Sequence, residues 1–189
     1  MALAYHPEKH HRRSLRLKAY DYSKSGAYFV TICARNRECL FGDITDGRMA
    51  HSDSGRIASE SWLWMGDQYG HVILDAWTIM PNHMHGIVFI SGGRGGSRTA
   101  PVSSTAAPRC ILPVNRRKPL GRLIGSFKTV STKRINQMRD TPGEKIWQRN
   151  YYEHIIRNDK ELTRVREYID QNVLKWEWDR ENPHSRAFS

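Results

Sequence analysis

HVILDAWTIMPNHMHGIVFI, His71 to Ile90, decides the fold. Its first half, His71–Met80, is rich in β-branched and aromatic residues and reads as a strand. Pro81-Asn82 breaks it, because proline fixes φ and removes a backbone donor. His83–Ile90 (HMHGIVFI) reads as another strand, so the pair is a hairpin folding at Met80-Pro81-Asn82. Upstream, Ala27–Ala34 (AYFVTICA) has the same strand chemistry. Phe41–Ala50, with Gly42, Asp46 and Gly47, suggests a small hairpin. Ser52–Gly70 reads as a helix capped by Asp53 or Ser54, with Ile57, Ser61, Trp64 and Met65 on one face and Gly70 at its end.

Downstream of the hairpin, residues 91–118 change character to Gly, Ser, Ala, Pro and Thr, which suits a mobile loop insertion. A second helix is expected from Pro119, a residue suited to the first helical position. Leu120, Leu123, Ile124, Phe127, Val130 and Ile135 recur there at helical spacing. Trp147–Ile156 reads as a further strand or edge segment. A last helix, capped by Asp159, runs to about Leu174 and buries Leu162, Val165, Ile169 and Val173. The order β, hairpin, α, β, β, α, β, α predicts an α+β ferredoxin-like sandwich. Helices cover one face of an antiparallel sheet, and an extra C-terminal helix carries Tyr168.

The length, 189 residues, fits one domain with a basic N-terminal arm over residues 1–19. Lys plus Arg total 30 against 19 Asp plus Glu, a formal charge of +11, and that field attracts polyanions. No basic amphipathic helix and no apolar run of about 18 residues stands out, so a membrane is not the expected partner. Cys33, Cys39 and Cys110 form no C-x-x-C pair, which argues against a disulfide framework or a zinc ribbon. The polar start, Met1 to Arg16, lacks the apolar segment of a signal peptide, so a cytoplasmic location is expected.

His83-Met84-His85 is the sharpest chemical signal. Residues i and i+2 of a strand share a face, so two imidazoles stand side by side as half of a divalent-metal site. On the residues alone, two histidines at an exposed strand start remain the other reading. Mg²⁺ or Mn²⁺ needs further oxygen ligands. Tyr168 and Asn172, one helical turn apart, offer a phenol and an amide oxygen on one face. A tyrosine packed on the sheet and an asparagine closing the helix would give the same pattern. Tyr151 and Tyr152 are rival nucleophiles, and with Trp147 and Trp176 they are also candidates to stack on unpaired bases. Candidate backbone contacts are Arg12, Arg13, Arg122, Lys128, Lys133, Arg134, Arg149 and Arg157, with His154 beside the last.

Four segments in order carry a resemblance. They are RRSLRLKAYDYSKSGAYFVTICARNRECLFG (12–42), AWTIMPNHMHGIV (76–88), LGRLIGSFKTVSTKRIN (120–136), and WQRNYYEHIIRNDKEL followed by RVREYIDQN (147–172). The chain resembles the REP-associated tyrosine transposases, a branch of the single-tyrosine His-hydrophobic-His enzymes. The resemblance implies that His83 and His85 are metal ligands, Tyr168 the nucleophile and Asn172 the third ligand. The family usually has proline after that asparagine, where this chain has Val173.

The resemblance further implies metal-dependent nicking and rejoining of single-stranded, hairpin-containing DNA through a 5′-phosphotyrosine. No nucleotide cofactor is expected, and the chain has no G-x-x-x-x-G-K-[ST] loop. The alternative is a non-catalytic single-strand-binding module of the same fold. A small phosphoesterase would need two separated His-x-[Thr/Ser] motifs, and the chain has one H-x-H. Monomer and homodimer both remain open.

Overall fold

The computed structural model describes residues 25–91, 118–179 and 182–183. The basic arm with Arg12 and Arg13, Cys110, and nearly all of the 91–118 insertion lie outside them. Six strands and three helices follow in the expected order. They are β1 (Gly26–Cys33), β2 (Gly42–Thr45), β3 (Arg48–His51), α1 (Asp53–Gln68), β4 (Val72–Ile79), β5 (His83–Ile90), α2 (Leu120–Arg139), β6 (Tyr152–Ile156) and α3 (Asp159–Asn172). The main sheet has the order β4-β5-β1-β6, and every neighbour is antiparallel. The β2–β3 hairpin stands apart.

Strand alternation gives the sheet two different faces. Tyr28, Val30 and Ile32 of β1 and Met84, Val88 and Ile90 of β5 pack under α1 and α2. Ala27, Phe29 and Ile87 face the other way, and Val165 and Ile169 of α3 cover them. No described helix is long and apolar enough to cross a membrane.

The buried stripe of α1 is rotated from the expected one. Ala58, Ser61, Trp62 and Met65 are buried, whereas Ile57 and Trp64 are half-buried. Trp62 turns inward because β5 leaves room at Gly86, where a Cβ would lie 2.6 Å from the indole. On α2, Ser131 takes the buried place expected of Val130, and Trp147 explains why. The indole Nε1–H of Trp147 donates to Ser131 Oγ at 2.9 Å. Its ring stacks on Phe41 at 4.7 Å. Trp147 is therefore core and is not placed to stack on a base.

Helix starts are set by the residues just before those expected. Ser52 caps α1 by accepting from Gly55 N, and Asn158 caps α3 by accepting from Glu161 N. Pro119 is the N-cap of α2, one place ahead of the first helical position. α1 closes on Tyr69 in extended conformation, without using Gly70 as a left-handed stop. Regular pairing of the last strand covers only Tyr152–Ile156, with Trp147 in an isolated bridge to Ala34.

A register shift between Leu74 and Trp77 interrupts β4. The Asp75 carboxylate there accepts from Ala76 N at 2.6 Å and from Arg166 Nε of α3 at 3.0 Å. Burial pushes this carboxyl up, but the Arg166 guanidinium and the Ala76 N–H outweigh it and hold it below its ordinary value. The irregularity thus re-aims a side chain to tether α3.

Candidate active site

The hairpin turn before β5 is pinned from three sides. Met80 N donates to His83 O at 2.8 Å, Ala34 N to Asn82 O at 2.7 Å, and Phe41 N to Pro81 O at 2.9 Å. β5 therefore begins rigidly, with His83 opposite Cys33 and His85 opposite Thr31. Both histidines are buried on the α3 side, and Phe29 stacks on His85 at 5.4 Å between ring centroids.

Each imidazole is oriented through Nδ1. Asn82 Nδ2 donates to Arg37 O at 3.1 Å, which turns its Oδ1 toward His83 Nδ1 at 2.8 Å. His83 must then carry its proton on Nδ1, leaving the Nε2 lone pair open, as a metal-ligating histidine requires. His85 Nδ1 lies 2.9 Å from Thr31 Oγ1, a hydroxyl that serves either tautomer. The two Nε2 atoms face each other at 3.0 Å. Ligand atoms about 2.1 Å from one octahedral ion, and at right angles, stand about that far apart. Burial pushes both imidazoles well below their ordinary value, aided by Arg37 at His83 and by His83 at His85. Neutral imidazole is the ligating form.

α3 brings the other half. Val165 and Ile169 seat it on the sheet. Tyr168 and Asn172 share the neighbouring stripe. The Tyr168 ring lies edge-on to His85 at 5.2 Å and to Phe29 at 5.9 Å, and 49% of the residue is exposed. Asn172 is buried, and its Oδ1 has no hydrogen-bond partner. A buried carbonyl oxygen left unpaired is costly, so this atom fits an ion better than it fits a closed core. Val173 continues in right-handed helical geometry where the resemblance led to proline.

Beyond α3 a short turn, Trp176–Trp178, folds the chain back over the histidines. Trp176 lies 6.0 Å from the His83 ring, and Asp179 Oδ2 lies 3.9 Å from His83 Nε2. His83, His85 and Asp179 offer ligand atoms that all lie within 4.8 Å of one another. Asp179 was missed by sequence reasoning, because a lone aspartate in an aromatic stretch has no telling spacing. Asn82 was missed for a similar reason: it read as a turn residue, and only the fold shows its grip on His83.

A cavity of about 870 Å³ opens beside these groups, lined by His85, Tyr168, Asn172 and Asp179 together with Tyr151 and Tyr152. Tyr151 and Tyr152 thus share the cavity, but Tyr168 is the tyrosine whose ring meets His85. The basic candidates scatter. Lys133 and Arg149 line a separate groove of about 460 Å³ with Lys145. Arg122 lies exposed near Tyr69, Arg157 lies exposed before α3, and Arg134 pairs with Glu60. Lys128 donates to the carbonyls of Gln148 and Asn150, and burial pulls its ammonium down to about 8. His154 pairs with Glu161 at 2.6 Å.

No family model matches the chain. An uncharacterized protein of Haemophilus influenzae is 38% identical over 182 residues, spanning 95% of this chain and 97% of that one. A REP-associated tyrosine transposase, solved bound to a REP hairpin, has the same fold. It superposes with a TM-score of 0.58 at 20% identity, over 88% of this chain and 76% of that one.

Proposed function

We propose that this chain, which belongs to the same family as the Haemophilus influenzae protein and shares the fold of a REP-associated tyrosine transposase, cuts and rejoins single-stranded DNA through Tyr168. The observation that carries this reading is a partly exposed tyrosine whose ring meets His85, one of two adjoining buried histidines, beside a cavity that Asn172 with its unpaired amide oxygen also lines. A packed core or a passive binding surface would have no joint use for those four groups.

A tyrosine phenol titrates ordinarily near 10 and is a weak nucleophile at neutral pH. His83, His85 and Asn172 would hold Mg²⁺ or Mn²⁺, with Asp179 as an additional oxygen donor. The ion supplies Lewis-acid polarisation of the scissile phosphate. Asn82 and Thr31 keep the two imidazoles aimed. Tyr168 Oη attacks phosphorus in line; the phenol loses its proton, the bond to the 3′-oxygen breaks, and that oxygen gains a proton. A 5′-phosphotyrosine and a free 3′-hydroxyl result. Attack by a 3′-hydroxyl on another strand reverses the step and restores the phenol. One phosphodiester is exchanged for another, so no nucleotide energy source is consumed. The hairpin in the structural relative, and the chain's own net charge of +11, support hairpin-containing DNA as substrate.

The test is a covalent adduct. Wild-type protein with Mn²⁺ and a hairpin-bearing single strand should give an SDS-resistant protein–DNA complex. Tyr168→Phe should give none, while a hairpin-bearing strand still binds. An adduct formed by Tyr168→Phe would assign the nucleophile elsewhere, with Tyr152 the next candidate in the same cavity.

A further inference from the structure

One wall of the cavity is not used when Tyr168 is the nucleophile. It is built by Gln148, Asn150, Tyr151 and Tyr152, and Trp178 joins the same lining. Trp178 is 61% exposed and Tyr152 46% exposed. Large aromatic surface left open beside a cavity marks a place where something docks. Among the described residues, the Trp178 ring meets no other aromatic ring. The side-chain amides of Gln148 and Asn150 have no hydrogen-bond partner there either.

The wall is nevertheless rigid. Lys128 Nζ donates to Gln148 O at 2.8 Å and to Asn150 O at 3.0 Å, and it sits 5.5 Å from the centre of the Tyr151 ring. Gln148 N donates to Cys33 O at 2.9 Å. The Tyr152 ring leans edge-on against Phe29 at 6.3 Å. Open aromatic faces on a braced backbone bind flat partners at low ordering cost. Free amides beside them match the donors and acceptors on a base edge.

We infer that this wall is a base-stacking subsite: Trp178 and Tyr152 take the faces of unpaired bases flanking the cut phosphate, and Gln148 and Asn150 bond their edges. The assignment of those bases to the cut position rests on the strand-cutting reading above. A base inside a duplex has both faces covered by its neighbours, so the subsite selects unpaired DNA. Stacking tolerates any base, and discrimination among bases falls to the two amides.

The test uses the full chain as Tyr168→Phe without divalent metal, so that no strand is cut. Affinities are measured for dT12 and for a 12-unit abasic strand of the same charge. The parent should bind dT12 at least about 25-fold more tightly, because stacking on each of two aromatics changes affinity by about 5- to 150-fold. Adding Trp178→Ala should cut that ratio about ten-fold, Tyr152→Ala should lower it further, and Trp178→Phe should retain it. Both side chains are exposed, and unchanged melting checks the fold. An unchanged ratio in both alanine variants would overturn the subsite, as would equal affinity for a blunt duplex. No bond is cut, so this result stands or falls separately from the identity of the nucleophile.

Discussion

The two faces of the main sheet are built from the same strands and do opposite things. On β5, Met84, Val88 and Ile90 vanish into an apolar layer under α1 and α2. Their alternating neighbours His83 and His85 are just as buried but polar, and they gather Thr31, Asn82, Asn172 and Asp179 around them. Burial alone therefore does not distinguish core from site. An unpaired polar atom does not distinguish them either, since the Trp62 indole N–H in the apolar layer also has no hydrogen-bond partner. The distinguishing mark is the gathering of several ligating groups and a tyrosine at one place. On the apolar face, the Ser131 hydroxyl accepts a hydrogen bond from the Trp147 indole N–H and donates one to Phe127 O. On the other face, Asn172 Oδ1 has no hydrogen-bond partner, and the two Nε2 atoms lie 3.0 Å apart, a hydrogen bond when His85 carries its proton on Nε2.

The largest way to break this contrast is His83→Ala. Cleavage should fall by at least 10²–10³-fold, the scale for losing one charge-stabilising group at a reacting centre. DNA affinity should change little, because backbone phosphate contacts dominate it. Gel-based cleavage and equilibrium binding on one preparation check both halves; unchanged cleavage would remove the metal site from the account.

Gly86→Ala attacks the apolar face instead. The new methyl would meet the Trp62 indole at 2.6 Å, and such overpacking costs about 1–3 kcal/mol. Denaturant unfolding measures it, and a loss below about 0.5 kcal/mol would mean that Trp62 is not packed against β5 as described.

A third contrast is one of pH. The folded chain holds His83 and His85 well below the ordinary histidine value, mainly through burial. Below about pH 6.5 the unfolded chain takes up protons that the folded chain refuses. Stability is thus complete above that pH and is lost as pH falls toward the folded values. At pH 5 the loss is about 2 kcal/mol per histidine. Unfolding at pH 7.5 and 5 without metal should show a steeper decline in wild type than in His83→Ala. Equal slopes would mean that the imidazoles are not held neutral.

These contrasts also mark what the sequence made legible. The hairpin at Pro81-Asn82, the helix starting at Pro119 and the β-α order follow from local patterns, and strand alternation alone puts His83 and His85 on one face. Misplaced details came from long-range fit. The α1 stripe is turned because Gly86 admits Trp62 from across the layer, and Trp147 is core because Phe41 and Ser131 receive it. Tyr168 and Asn172 were legible as a pair through their one-turn spacing and the family resemblance. Asp179 and Asn82 were not, since each acquires its neighbours only when chain segments remote from one another meet.

On the proposed reading, one chain assembles a whole strand-cutting site. Mixing Tyr168→Phe with His83→Ala in equal amounts, with Mn²⁺ and a hairpin-bearing single strand, tests it most directly. Wild type should give a strong SDS-resistant adduct and the mixture none, because each variant lacks a part that its own fold must supply. An adduct restored on the His83→Ala chain would show a site shared between chains, and no adduct from wild type would contradict the strand-cutting assignment itself.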